Sequence, residues 1–139
     1  METGLVKNYG SGIIAMTPFD MVLEFHEKFG VAVNQPFTED LIHLRDALMS
    51  EEDEETHNEL YAFEDGKICP KKLTKELADK MYVTIGTAIT FGLPLEEVFA
   101  EVHKSNMSKL TKEGYVLRRE DGKVLKSDQY QEPDLEKFF

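Results

Sequence analysis

Apolar residues recur along most of this chain at intervals of three and four, the period of an amphipathic helix, and polar caps divide the periodic stretches into four. Thr17 ahead of Pro18-Phe19-Asp20 predicts a helix start, with Pro in the first turn, Asp20 at the positive helix end and Met16 and Met21 as a hydrophobic staple. That helix carries Met21, Phe25 and Phe29 and stops at Gly30. A second is expected from the Thr38 cap, with Phe37 and Ile42 as its staple and Leu41, Leu44 and Leu48 as its stripe, ending at about Tyr61 before a Glu64-Asp65-Gly66 turn. The third should run from near Leu73 to Gly92. Between Met81 and Phe91 it is apolar on nearly every side, the mark of a helix buried on most faces. Pro94 opens a fourth, with Glu96 and Glu97 in its first turn and Leu95, Val98, Phe99 and Val102 as its core side, fraying around Ser105-Asn106. Beyond it the period changes. Tyr115 to Glu120, the Asp121-Gly122 pair and Lys123 to Leu125 predict a short β-hairpin with a two-residue turn, followed by a surface tail containing Pro133. The expected fold is an all-α bundle of four to five helices in one domain, residues 1–139. Its helical core covers about 17–106, and a short hairpin or extended tail covers 107–139.

Composition narrows what such a bundle does. The 139 residues hold 27 Asp and Glu against 16 Lys and Arg, a formal net charge of −11. Docking on a nucleic-acid backbone needs a basic face, so that partner is excluded. No apolar run reaches the roughly 20 residues of a membrane span, and the N-terminus lacks the basic-then-apolar order of a signal peptide. Cys69 stands alone and forms no intramolecular bridge, which fits a reducing, cytoplasmic setting.

The placement of the carboxylates matters more than their number. Helical spacing carries the Leu41, Leu44, Leu48 stripe onto Glu51, Glu52 and Glu55, the wrong face for solvated charge. On the third helix Glu76 and Asp79 are three apart, and their line continues through Val83 and Gly86 into the most apolar part of the segment. Helices joined by a modest loop pack antiparallel, which sets the two acidic groups face to face. Like charges gathered out of water need a neutralising partner, and oxygen donors select a hard cation, Mg²⁺ or Mn²⁺. A di-iron bundle needs a Glu-x-x-His on each of two helices, and only Glu54-Glu-Thr-His57 has that form. His26, His43, His57 and His103 lack the spacing of a zinc cluster, and no Gly-rich phosphate loop or nucleophile elbow is present. Lys104, Lys109, Lys112, Arg118, Arg119, Lys123 and Lys126 crowd into one short stretch. Beside a carboxylate-bound metal, such a stretch reads as an anion clamp for phosphoryl groups.

Three blocks make the pattern familiar: Leu44-Arg-Asp-Ala-Leu-Met-Ser-Glu-Glu-Asp-Glu-Glu55, Glu76-Leu-Ala-Asp79-Lys-Met-Tyr-Val-Thr-Ile-Gly-Thr87, and Val98-Phe-Ala-Glu-Val-His-Lys-Ser-Asn-Met-Ser-Lys109 with Arg118 to Lys126 behind it. Together they resemble the MazG-type all-α nucleoside triphosphate pyrophosphohydrolases, the superfamily of phosphoribosyl-ATP pyrophosphohydrolase and the dimeric dUTPases. The resemblance implies hydrolysis of a nucleoside triphosphate to the monophosphate and pyrophosphate. It implies two or more Mg²⁺ ions held by Glu51, Glu52, Glu55, Glu76 and Asp79. It further implies Asn106 on sugar or base, Lys109, Arg119 and Lys123 on the leaving phosphates, Tyr82 on phosphate or sugar, and Phe25 and His26 toward the base. A homodimer or homotetramer is expected, and deoxyuridine and deoxyguanosine triphosphates are the substrates to consider. Glu51, first of the acidic group, is taken as the base that orients the attacking water. Lys80, directly after Asp79, sits where relatives often carry an apolar residue. The same residues also admit an inert nucleotide or metal sensor, or an acidic interaction module.

Overall fold

The computed structural model describes the backbone of residues 6–9 and 12–139, and side chains from Ala15 onward. Four helices dominate: α1 (Pro18–Phe29), α2 (Glu39–Tyr61), α3 (Pro70–Phe91) and α4 (Leu95–Met107). Ahead of them β1 (Val6–Tyr9) pairs antiparallel with β2 (Gly12–Ala15), an element the hydrophobic pattern did not announce. The chain falls into two compact units, Met1–Leu93 and Pro94–Phe139, so the division precedes α4 rather than following it.

Local chemistry explains the helix limits. Thr17 and Asp20 exchange side chain to backbone bonds in a complete capping box, and Gly30 closes α1 in the left-handed region at φ 69°. Thr38 caps α2 by accepting from the Leu41 amide. The third helix begins at Pro70, ahead of the expected Leu73, because a proline in the first turn has no N–H to leave unsatisfied. It stops at Gly92, φ 65°, where a Cβ would stand 2.8 Å from Asn34 Oδ1. There the loop after α1 is tied down. The Asn34 and Gln35 amides donate to the Ile89 and Thr90 carbonyls, and Phe37 stacks on Phe91.

In the first unit the core is small: Met16, Val22, Ile85 and Ala88, with Thr90 fully buried and donating to the Gly86 carbonyl. The α2–α3 seam is antiparallel and largely polar. Buried Arg45 donates from Nε to Thr87 Oγ1 at 3.1 Å and from Nη2 to the Val83 carbonyl at 2.8 Å. Three turns along, buried Thr56 donates to the Glu76 carbonyl. The expectation that α3 is buried on most faces is corrected: Leu77 and Met81 are about half exposed, and burial falls on Ile85, Gly86, Ala88 and Thr90. The small residues on that side allow close approach, which the longer side chains beside them prevent.

In the second unit the expected core side of α4 is also corrected. Phe99 is 69% exposed, and the buried positions are Glu101 and Ser105. These two hold the tail: Glu101 accepts from the Asp134 amide and pairs with Lys137, and Ser105 donates to the Gln131 carbonyl. The C-terminal β-hairpin does not form. A single antiparallel bridge, Arg118 to Val124, closes a wider loop in which Arg119 pairs with Asp121 and Asp121 accepts the Lys123 amide. The Arg119 amide donates to the Lys123 carbonyl and the Leu125 amide to the Leu117 carbonyl, so the arms of the loop meet through backbone bonds without forming regular strands.

Gly86 is the tightest point of the seam. A Cβ there would lie 2.7 Å from Arg45 Nη2 and 2.9 Å from His26 Nε2. Alanine gains about 1 kcal/mol of helix propensity but overpacks two buried groups at about 1–3 kcal/mol. Gly86→Ala is therefore expected to lower unfolding stability by up to about 2 kcal/mol, read from urea denaturation, whereas a stabilised variant would show that the seam has slack.

Candidate metal centre and adjoining cavity

The acidic stretch of α2 and the polar positions of α3 meet across the seam as the helical spacing requires. Glu52 and Glu55 on α2 and Glu76 and Asp79 on α3 each bring a carboxylate oxygen within 4.8 Å of the others. All four are half-buried. Two of the oxygens, Glu52 Oε2 and Glu76 Oε2, are buried with no hydrogen-bond partner. Buried acceptors of this kind are costly, and a cation bound among them satisfies both at once. Hard oxygen donors from two rigid helices fit a divalent ion of the Mg²⁺ type. Glu51 stands outside the four, exposed on α2 one residue before Glu52.

Lysines frame the cluster. Lys80 turns away from it and pairs with Asp53 at 3.0 Å, so the departure from the family pattern leaves all four carboxylates available. Lys75 does engage it, at 2.6 Å from Asp79 and 3.6 Å from Glu76. Its position one turn before Asp79 is visible in the sequence as an i, i+4 pair, and only the carboxylates were read from that turn.

Beside the cluster lies a cavity of about 370 Å³. Phe25, Val31, Leu44, Leu48, Tyr82 and Val83 make its apolar walls. Glu52 and Asp79 of the cluster also border it, as do His26 and Arg45. Phe25 meets Tyr82 edge to face at 5.7 Å. Burial, and then the nearby Glu24 charge, raise the Tyr82 pKa and keep its hydroxyl a hydrogen-bond donor. Three of the side chains expected at the substrate, Phe25, His26 and Tyr82, thus line one space with two of the acidic residues. Arg45 was missed. Its signal was present, since it lies on the Leu41, Leu44, Leu48 stripe, where an unmatched charge asks for an explanation.

Asn106, Lys109, Arg119 and Lys123 belong to the second unit. Asn106, Arg119 and Lys123 are exposed and Lys109 half-buried, and Arg119 is engaged by Asp121 in a two-bond pair. Among the described residues no single helix is long and apolar enough to cross a membrane. The sequence model of the phosphoribosyl-ATP pyrophosphohydrolase family matches residues 22–106, more than half of the chain, from α1 into α4. No curated protein matches the chain.

The electrostatics of the cluster lead to a measurable pH dependence. Burial, reinforced by the charges of Glu55, Asp79 and Glu76, holds the Glu52 carboxyl above its ordinary pKa. Glu76 is also raised, by burial and by hydrogen bonding with Glu55, with Lys75 opposing. The native chain therefore keeps protons that the unfolded chain has released, and stability is lost as pH rises above the ordinary carboxylate value. Glu101 and Asp121 behave oppositely. Lys137 and the Asp134 amide lower the first, Arg119 and the Lys123 amide the second, so their contribution is lost only as pH falls below that value. Without divalent cations the melting temperature is expected to fall from mildly acidic to neutral buffer, and Mg²⁺ should restore it at neutral pH alone. A profile that Mg²⁺ leaves unchanged would contradict a cation site.

Proposed function

The chain belongs to the phosphoribosyl-ATP pyrophosphohydrolase family, and from that premise we propose that it hydrolyses a nucleoside triphosphate between the α- and β-phosphates, releasing the monophosphate and pyrophosphate. The observation that carries this reading is the four-carboxylate cluster, with its two unpartnered oxygens, bordering a cavity large enough for a nucleoside. The family's name specifies phosphoribosyl-ATP. We favour a nucleoside triphosphate of the general pool, with deoxyuridine and deoxyguanosine triphosphates first among them.

In this reading Glu52, Glu55, Glu76 and Asp79 hold the metal, and their oxygens are numerous enough for more than one ion. These four would hold Mg²⁺ or Mn²⁺, which would neutralise the like charges and supply Lewis-acid polarisation of the phosphate. To Glu51, exposed on α2 and outside the ligand group, we assign the orienting of the attacking water and the acceptance of its proton on a carboxylate oxygen. Phe25 and Tyr82 present apolar ring surface to the nucleoside, and the Tyr82 hydroxyl is a donor to sugar or phosphate. Asn106, Lys109, Arg119 and Lys123, all in the second unit, carry the polar and basic groups that the family resemblance assigns to sugar and pyrophosphate. Chromatography of products from a panel of ribo- and deoxynucleoside triphosphates with Mg²⁺ should show monophosphate without diphosphate. Glu52→Gln is expected to lose at least about a hundredfold in kcat while melting like the parent. Undiminished turnover would remove the cluster from the reaction, and tight binding with no hydrolysis would identify a sensor.

We further infer a homo-oligomer, dimer or tetramer. Met81 and Leu77 are about half exposed on α3, and Met81 borders an apolar depression with Pro18, Met21, Ala78 and Ile85. Apolar surface gathered in this way marks an association face. Light scattering should give at least twice the chain mass of 15.9 kDa, and Met81→Lys should shift it toward the monomer. A monomeric parent would overturn the assignment.

A further inference from the structure

Arg45 and His26 share the cavity border and the surface of Gly86, and each has bonding capacity that the described residues do not use. The Arg45 guanidinium is buried, yet its partners among the described residues are both neutral acceptors, Thr87 Oγ1 and the Val83 carbonyl. No carboxylate pairs with it among the described residues. Removing a guanidinium from water without a counter-charge is expensive, and packing alone would be served as well by an apolar side chain. Two of its five N–H donors are engaged, which leaves three.

His26 is 3% exposed, and its Nδ1 lies 3.0 Å from the Ala32 carbonyl. A carbonyl only accepts, so Nδ1 carries the hydrogen. Its other ring nitrogen has no partner among the described residues and sits beside Arg45 Nη2, both against Gly86. With the hydrogen on Nδ1, the neutral ring presents its lone pair at Nε2. Gly86 is what admits the two groups together, since a Cβ would fall within 3 Å of each.

The cavity thus offers a donor next to an acceptor. Along α2, Arg45 precedes Glu52 by seven residues, about 10 Å of helix, and Gly86 follows Asp79 by the same interval on the antiparallel α3. That is the reach of a nucleoside from its α-phosphate to the outer edge of its base. A phosphate at the cluster therefore leaves the base, not another phosphate, at the Arg45 end, against the Phe25 and Tyr82 side chains that line the cavity.

We propose that Arg45 and His26 read a base edge on which a carbonyl adjoins a ring N–H, so that the site takes uracil, thymine, guanine or hypoxanthine nucleotides and rejects those of cytosine and adenine. Arg45 donates to the carbonyl oxygen, and His26 Nε2 accepts the ring N–H. In cytosine and adenine both polarities are reversed: an amino donor faces the guanidinium, and an unprotonated ring nitrogen faces Nε2. This deepens the proposed function and rests on its placement of nucleotide in this cavity.

Two isosteric pairs test it on the intact protein with Mg²⁺. dUTP against dCTP and dITP against dATP differ at this edge by one exchange of carbonyl and N–H for amino and N. In each pair kcat/KM is expected to favour the first member by about a hundredfold. Calorimetric binding of dUMP against dCMP should show the same order, and this readout does not depend on turnover. Absence of hydrolysis with dUMP still preferred would defeat the proposed reaction and support the base assignment. Equal or reversed preference, or binding of neither monophosphate in a protein that hydrolyses without preference, overturns it. Arg45→Lys keeps the charge and loses the fork, and its preference is expected to shrink below about tenfold. A folded variant with undiminished preference overturns the role of Arg45, and if the variant does not fold the parent ratios decide.

Discussion

The antiparallel seam between α2 and α3 must hold carboxylates that repel one another, and most of the first unit follows from how it does so. Glu52 and Glu55 face Glu76 and Asp79 across it, with two oxygens buried and unpartnered. Little apolar burial is available to hold the helices together there, since Leu44, Leu77 and Met81 all remain about half exposed. The restraint comes from polar clamps on either side. Thr56 reaches the Glu76 carbonyl at the acidic end, and Arg45 reaches Val83 and Thr87 two turns away. Neutral acceptors on the opposite backbone fix the separation of the helices without cancelling the charge of the cluster.

That arrangement turns a structural cost into a place for ligand. The clamps keep the helices at a distance set by the Arg45 side chain lying over Gly86, and this spacing leaves the cavity open between Phe25, Leu48 and Tyr82. The loop after α1 completes it. Gly30 turns the chain in the left-handed region, the Ala32 carbonyl holds His26 Nδ1, and the Asn34 and Gln35 amides anchor the loop to the end of α3. Acidic residues thus border the cavity at one level and the Arg45 cation two turns away.

Periodicity and caps exposed this architecture where the signal was local. Thr17-Pro18, Thr38, Gly30 and Gly92 marked helix limits because capping depends on a few adjacent residues. The acidic pairing was legible for the same reason, since i, i+3 spacing needs no tertiary knowledge. What escaped depends on long-range partners. Arg45 visibly interrupts the apolar stripe, but what its charge lies against is not legible until Gly86, 41 positions away, is seen beneath it. Glu101 breaks the apolar pattern of α4, and only the returning tail with Lys137 makes its burial affordable. Where the C-terminal hairpin was expected, the arms meet through backbone bonds without regular strands, and Asp121 bonds Arg119 and the Lys123 amide, side-chain contacts that strand propensity does not register.

Lys75 resolves the remaining difficulty, which is how such a cluster folds before any cation arrives. Four bare carboxylates this close repel one another until a cation neutralises them. Until then Lys75, one turn before Asp79 on the same helix, supplies a positive charge at 2.6 Å. Neighbouring carboxylates raise its pKa through the Asp79 hydrogen bond above all, so it stays charged throughout the neutral range. Being two-thirds exposed, it returns to water easily. An exposed lysine is thus better suited to this position than a buried arginine: it offsets part of the repulsion during folding and can give way to a cation.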